Sequence, residues 1–349
     1  MATFKYILIT PALEGTFDDV LDVRSPSEFA ADHLPRAINL PVLNDEERVR
    51  VGTLYLQSPF EAQRLGAAMI SRNIARHLET VLQHKPKSWQ ALIYCWRGGM
   101  RSGAMAHVLA QVGWRISCLQ GGYKTYRRHV LDALDVLPAQ FDLRVVCGPT
   151  GSGKSRLLQS LAAMEAQVLD LEQLSQHRGS LLGNLPGQAQ PAQKMFESRV
   201  WEALRGFDLR RPVFVEAESR MIGVLRVPEA LLGRMRTAPC IAIEAALQAR
   251  IELLLEDYAH FLSDPDLLGQ RLALLTELHG HKIIAHWNVL AGAGLWSELV
   301  QELLERHYDP AYRRSSEISF EQLKRATLLS IDRLDPAGID AAARRCLEM

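Results

Sequence analysis

Two short segments of this 349-residue sequence carry residue types at spacings that can do chemistry. The first, CWRGGMRS from Cys95 to Ser102, places a thiol directly after an apolar run and before a helical pattern. Gly98 and Gly99 let the backbone curl so that successive N–H groups converge, and the following helix N-terminus adds positive potential. Both favour an anion and activate a thiol, and Arg97 and Arg101 add two positive charges. The spacing Cys-x-x-x-x-x-Arg suits a tetrahedral, phosphate-sized anion. The second segment, GPTGSGKS from Gly148 to Ser155, fits G-x-x-x-x-G-K-[ST] between a strand pattern and a helix pattern. The N–H groups of Thr150, Gly151, Ser152, Gly153, Lys154 and Ser155 are expected to wrap a diphosphate. Lys154 reaches its terminal phosphate, and Ser155 is placed to ligate Mg2+. Such a loop senses phosphate oxygens and not the group attached to them, so a nucleotide and another diphosphate remain alternatives. Asp170 and Glu216, each at the end of an apolar strand run, are candidates to help hold Mg2+ or a water.

These loops need sheets to present them. Runs at Tyr6–Ile9, Val20–Val23, Leu92–Cys95 and Ile116–Leu119 read as strands separated by amphipathic stretches, which is an α/β pattern. A second alternation begins with Leu143–Cys147 and continues through Val168–Leu171, Val213–Glu216 and Ile241–Ile243. It implies a mostly parallel sheet covered on both faces. Beyond Ala245 the pattern reads as helical nearly to the end, with Trp287 and Trp296 as core aromatics. Pro138 ends the helical pattern that begins near Tyr123. The expected organisation is therefore a thiol-loop domain over 1–135 and a phosphate-loop domain with a helical C-terminal extension over 136–349. Leu181–Gln193, rich in Gly, Pro and Gln, reads as a surface loop.

Composition narrows the class. Apolar residues make up 48% and charged residues 23%, which suits a globular protein and argues against disorder. Lys plus Arg equals Asp plus Glu at 40 each, so any nucleic-acid surface must be a local patch. The candidates are Lys124, Arg127 and Arg128, and, further on, His177 and Arg178. Five scattered cysteines without a C-x-x-C pair argue against a disulfide framework or a zinc site. The N-terminus lacks an export pattern or a spanning segment, so a cytoplasmic location without membrane attachment is expected.

LDVRSPSEFAADHLPRAINLP from Leu21 to Pro41, CWRGGMRS, and LQGGY from Leu119 to Tyr123 together resemble the rhodanese superfamily over the first 125 or so residues. Asp32 stands where that pattern usually has a Gly before His33. Asp22 and Arg24 read as a structural pair, and His33 as a satisfied core or turn residue. With GGYKTYRRHVL, GPTGSGKS, HRGSLLG and VEAESRMIG following in order, nearly the whole chain resembles the tRNA 2-selenouridine synthase family. The resemblance implies exchange of sulfur for selenium in a tRNA wobble 2-thiouridine. Selenophosphate, supplied by its synthase, is the donor, and the exchange passes through an S-geranylated intermediate made from geranyl diphosphate. It makes Cys95 the catalytic thiol and Arg97, Gly98, Gly99 and Arg101 the selenophosphate cradle. Cys95 then either carries selenium as a perselenide, or only positions the donor or protonates a leaving group. Geranyl diphosphate becomes the expected occupant of the phosphate loop, its chain under Leu181–Gln193 with Leu181, Leu182 and Leu185 as lining. Both selenophosphate and geranyl diphosphate are co-substrates and not tightly held cofactors. The alternative is a rhodanese-fold sulfurtransferase or thiol phosphatase coupled to a nucleotide-binding domain.

Overall fold

The computed structural model describes residues 4–179, 183, 188–262 and 264–349. They fall into two compact units: Met1–Ala133 with Ala192–Ser198, and Leu134–Pro191 with Arg199–Met349.

The first unit is built on β1 (Lys5–Ile7), β2 (Asp19–Asp22), β3 (Ala37–Asn39), β4 (Gln90–Tyr94) and β5 (Arg115–Leu119). They form one sheet in the order β1-β5-β4-β2-β3, every pairing parallel. Strand β4 is central and reads as a continuous apolar run, Ala91 to Tyr94, because helices cover both faces of such a sheet. Leu21, Ile93, Met105, Leu109 and Cys118 meet in its core. Strand β1 stops at Ile7, earlier than the apolar run suggests, since Ile9–Glu14 is a short helix with Pro11 in its first turn, where a missing N–H costs nothing. The three-residue β3 was not expected. Asn39 fixes it by donating to the carbonyls of Asp22 and Arg24.

The second unit contains β6 (Leu143–Cys147), β7 (Gln167–Leu169), β8 (Val213–Glu216), the two-residue hairpin strands β9 (Met221–Ile222) and β10 (Leu225–Arg226), β11 (Cys240–Ala245) and β12 (Thr327–Ile331). The main sheet runs β12-β11-β6-β8-β7 and is also all parallel. Strand β7 ends at Leu169, short of the expected Leu171, because Asp170 accepts from the Gln173 N–H and starts a helix. The expectation of helix nearly to the end fails at β12. There the apolar run extends the sheet beside β11, and helix Pro336–Leu347 closes over it with Leu329, Ile331, Ile339 and Ala342 buried together. Between β11 and β12 the chain is helical, with a core of its own around Trp287, Leu272, Leu299 and Leu303. Trp287 is fully buried, and Trp296 packs at the margin of that core. All five cysteines are free and buried. Among the described residues no helix is long and apolar enough to cross a membrane.

Candidate active site

In the first unit β4 delivers Cys95 to the turn before helix Met100–Val112. The turn is locked backbone to backbone against the segment after β5. Tyr123 and Lys124 donate their N–H groups to the carbonyls of Cys95 and Trp96, at 2.8 and 3.0 Å. Only glycine allows that approach: a Cβ on Gly122 would lie 2.3 Å from the Cys95 carbonyl oxygen, and one on Gly98, whose φ is +64°, 2.6 Å from that of Leu119. The LQGGY segment is therefore the mould of the thiol loop. Cys95 Sγ lies 3.2 Å from the hydroxyl of Ser102, which also donates to the Gly99 carbonyl. Burial and the neighbouring Cys95 push the Cys118 thiol up to about 12, which leaves it inert.

The two loop arginines differ. Arg97 is exposed and makes no ion pair among the described residues. Arg101 is held at 2.7 Å by Glu28, whose second duty is the capping box on helix Pro26–Ala31. Burial opposes the charge on Glu28, but the bond and charge of Arg101 hold its carboxyl below the usual range. Asp22 and Arg24 form a fully buried pair, as expected, with Arg24 also donating to the Asp32 carbonyl and lying 4.0 Å from the Tyr123 ring centroid. His33 bonds Phe29 and stacks on its ring. Asp32 is more than a turn residue. Fully buried, with its pKa raised by that burial, it accepts from the hydroxyls of Tyr123 and Ser198.

In the second unit β6 runs into the phosphate loop, and helix Lys154–Ala163 starts at its end. Lys154 Nζ reaches back to the carbonyls of Gly148 and Pro149 and lies 3.6 Å from Glu216. Ser155 donates to Glu172 and Glu216 at 2.9 and 3.3 Å. Carboxylate oxygens of Glu172, Glu216 and Glu218 lie within 4.8 Å of one another. Three hard oxygen donors beside the loop serine suit a divalent cation such as Mg2+. Burial first, then each other's charge, raise these groups: Glu172 to about 8, and Glu218 well above its ordinary value. Burial raises Glu216 as well, against the pull of Lys154.

The cleft over the loop has a volume of about 830 Å3 and includes His177, Arg178, Asp257 and Tyr258 in its wall. Glu216 is thus where the sequence reading put it. Asp170 also lines the cleft, but its carboxylate is engaged as a helix cap. Glu172 and Glu218 went unnoticed, although Glu218, two residues past Glu216 in VEAES, follows the alternation of the strand. Of the basic residues expected on a nucleic-acid surface, Lys124 and Arg128 are exposed. Arg127 instead forms an ion pair with Glu197 and donates to the Lys194 carbonyl. His177 is buried and accepts from the Gly179 N–H, and Arg178 donates to the Asp257 carbonyl, so both belong to the wall of the phosphate cleft. Leu181, Leu182 and Leu185 lie outside the described residues.

A thiol at the C-terminal end of a central parallel strand, together with an intact phosphate loop on a second parallel sheet, defines a chain with a rhodanese-like and a P-loop unit. The family model of the rhodanese-like domain matches residues 11–129, and that of the tRNA 2-selenouridine synthase AAA domain matches residues 141–268. A tRNA 2-selenouridine synthase of Alcanivorax borkumensis is 33% identical over 340 residues, covering 86% of this chain and 92% of the relative. One of Nitrosomonas europaea is 37% identical over 262 residues, covering 72% of this chain and 66% of the relative. The chain belongs to the tRNA 2-selenouridine synthase family. Among solved structures, the N-terminal domain of a putative ATP/GTP binding protein from Clostridium difficile 630 is 34% identical over 36% of this chain and 99% of its own, with a TM-score of 0.32.

Proposed function

We propose that this protein is a tRNA-modifying selenotransferase that converts wobble 2-thiouridine to 2-selenouridine, first S-geranylating the base from geranyl diphosphate and then replacing the sulfur with selenium from selenophosphate. The observation that carries the reading is that one chain of this family holds both a moulded thiol loop and an intact phosphate loop. In the phosphate cleft the loop N–H groups and Lys154 bind the diphosphate, while the thiouridine sulfur attacks C1 of the geranyl group and diphosphate leaves. Ser155, Glu172, Glu216 and Glu218 are the residues that would hold a Mg2+ ion, which would neutralise diphosphate charge there.

At the thiol loop, selenium in selenophosphate is already at the selenide level. Its capture by Cys95 as a perselenide therefore needs a two-electron oxidant. Attack of the Cys95 thiolate on phosphorus needs none: the S–P bond forms, the P–Se bond breaks, and selenide departs with the electron pair. Selenide adds to C2 of the S-geranylated uridine, the C2–S bond breaks, and geranyl thiolate leaves and takes up a proton. Water then cleaves the S–P bond, releasing phosphate and restoring the thiol. Ser102, 3.2 Å from Sγ, bonds the thiolate when its one proton turns from the Gly99 carbonyl, and Arg101, oriented by Glu28, is placed to meet the phosphoryl oxygens.

The test incubates the full chain with selenophosphate, geranyl diphosphate and 2-thiouridine tRNA and reads nucleosides by mass spectrometry. Cys95→Ala is expected to accumulate the S-geranylated nucleoside without selenouridine, and Lys154→Ala to lose geranylation. A folded wild-type protein that makes neither nucleoside defeats the reading and puts the phosphatase or sulfurtransferase alternative in front.

A further inference from the structure

An apolar cavity opens beside the phosphate loop within the second unit. Its wall includes Leu254, Tyr258, Phe261, Trp296, Val300 and Tyr308, and almost all of its exposed surface is carbon. Thr150, Leu254 and Tyr258 line both this cavity and the phosphate cleft, so the two adjoin across a shared wall. The approach is close: a Cβ on Gly151 would lie 2.8 Å from the Leu254 side chain. Arg250 anchors the wall to the loop, donating Nε and Nη2 to the Thr150 carbonyl at 2.9 and 2.7 Å and holding Asp309, the first residue after the π-helical turn Leu304–Tyr308. A cleft that grips phosphates at one end and offers only carbon at the other recognises an amphiphile.

We propose that this cavity is the subsite for the apolar chain of the diphosphate ester held by the phosphate loop. The proposal rests on the reading of a prenyl diphosphate there, and it puts the chain against the helices that follow β11. Size sets the length of chain. The cavity volume is about 60 Å3, and a water-sized guest takes about 10–15 Å3 on that scale. It therefore accepts four to six carbon-sized groups, about one isoprene unit. A second unit lies along Leu254 and Tyr258 between cavity and loop. On this proposal a ten-carbon chain fills path and cavity, and a fifteen-carbon chain presses on the cavity wall, in which Trp296 is the largest side chain.

The experiment measures binding of geranyl, farnesyl and inorganic diphosphate to the full chain, for wild type, Val300→Phe and Trp296→Ala. Wild type is expected to bind geranyl diphosphate at least tenfold more tightly than inorganic diphosphate. In Val300→Phe the ratio of these two affinities collapses towards one. In Trp296→Ala, which keeps the proposal testable if the larger ring prevents folding, farnesyl diphosphate gains at least fivefold on geranyl. If wild type shows the tenfold preference and both variants keep its ratios, the chain lies elsewhere: the subsite is overturned and the function stands. If wild type binds geranyl and inorganic diphosphate alike, the prenyl reading itself falls, and the subsite with it.

Discussion

Removing the Asp309 carboxylate should damage the phosphate loop from a distance. Arg250 is 5% exposed and divides its donors between Asp309, at 2.6 and 3.0 Å, and the Thr150 carbonyl. Breaking a fully buried pair by deleting one partner costs about 3–5 kcal/mol. The Asp309 side chain is 22% exposed and Arg250 keeps its bonds to Thr150, so the expected loss in Asp309→Ala is smaller, about 2–3 kcal/mol. At roughly 2–4 °C per kcal/mol for a unit of this size, the melting temperature falls by about 4–12 °C. With its Asp309 anchor gone, the guanidinium keeps its bonds to Thr150 but holds that carbonyl less rigidly, and the N–H groups of the loop converge less well. Arg250→Met with Asp309→Leu separates the effects. An apolar pair of similar volume restores stability, but the Thr150 carbonyl has lost its charged donor, so affinity for inorganic diphosphate stays down by about tenfold. Calorimetry and diphosphate titration read both quantities. If Asp309→Ala melts within a degree of wild type and binds diphosphate with unchanged affinity, the reasoning fails.

Gly122→Ala forces a Cβ to 2.3 Å from the Cys95 carbonyl oxygen at a φ of +60°, so selenium transfer is expected to be lost and the protein destabilised by about 3 kcal/mol or more; a variant with normal turnover refutes the mould. Asp32→Ala strands the buried hydroxyls of Tyr123 and Ser198 and should cost about 1–3 kcal/mol, read as a lower urea midpoint. Glu172 keeps its proton in the folded protein up to about pH 8 and loses it near the ordinary carboxylate value when unfolded. Its contribution to stability is therefore largest at low pH and declines as the pH rises through about 8. Urea midpoints between pH 5.5 and 8.5 should fall less steeply in Glu172→Gln than in wild type, and identical slopes refute the protonation of that site.

The parts of the site that were legible in the sequence are those made by neighbours in the chain. The thiol turn and the phosphate loop are each one strand, one turn and one helix, so residue order alone carries their geometry, and Glu216 was found because it ends a strand. What escaped was made by distant segments. Glu172 reaches Ser155 across 17 positions and Arg250 reaches Thr150 across 100, and no local pattern ties either pair. The partners of the basic cluster were hidden for the same reason. A run such as YRRHV does not show that Arg127 will find Glu197 while Arg128 stays in solvent. Strand β12 was hidden because its five residues sit between long helical patterns, and only its pairing with β11 makes them extended.

The carboxylates of the phosphate cleft and its ligand have to be read as one charge system. Glu172, Glu216 and Glu218 lie around Ser155 and Lys154, and their burial alone favours the protonated forms. A diphosphate brought beside three ionised carboxylates would be repelled, and Lys154 supplies only one positive charge against them. Two arrangements relieve this: the carboxyls keep protons, or a divalent cation takes the place of those protons and bridges to the phosphates. They differ in a measurable quantity. If a cation is used, adding Mg2+ with diphosphate at pH 7 releases protons to the buffer, Glu172→Gln releases fewer, and binding tightens with rising pH. If protons are used, diphosphate binds without Mg2+, releases none, and weakens as the pH rises through about 8. Isothermal titration in two buffers of different ionisation enthalpy decides between them. Proton release that is independent of Glu172 would show that this carboxylate is a bystander.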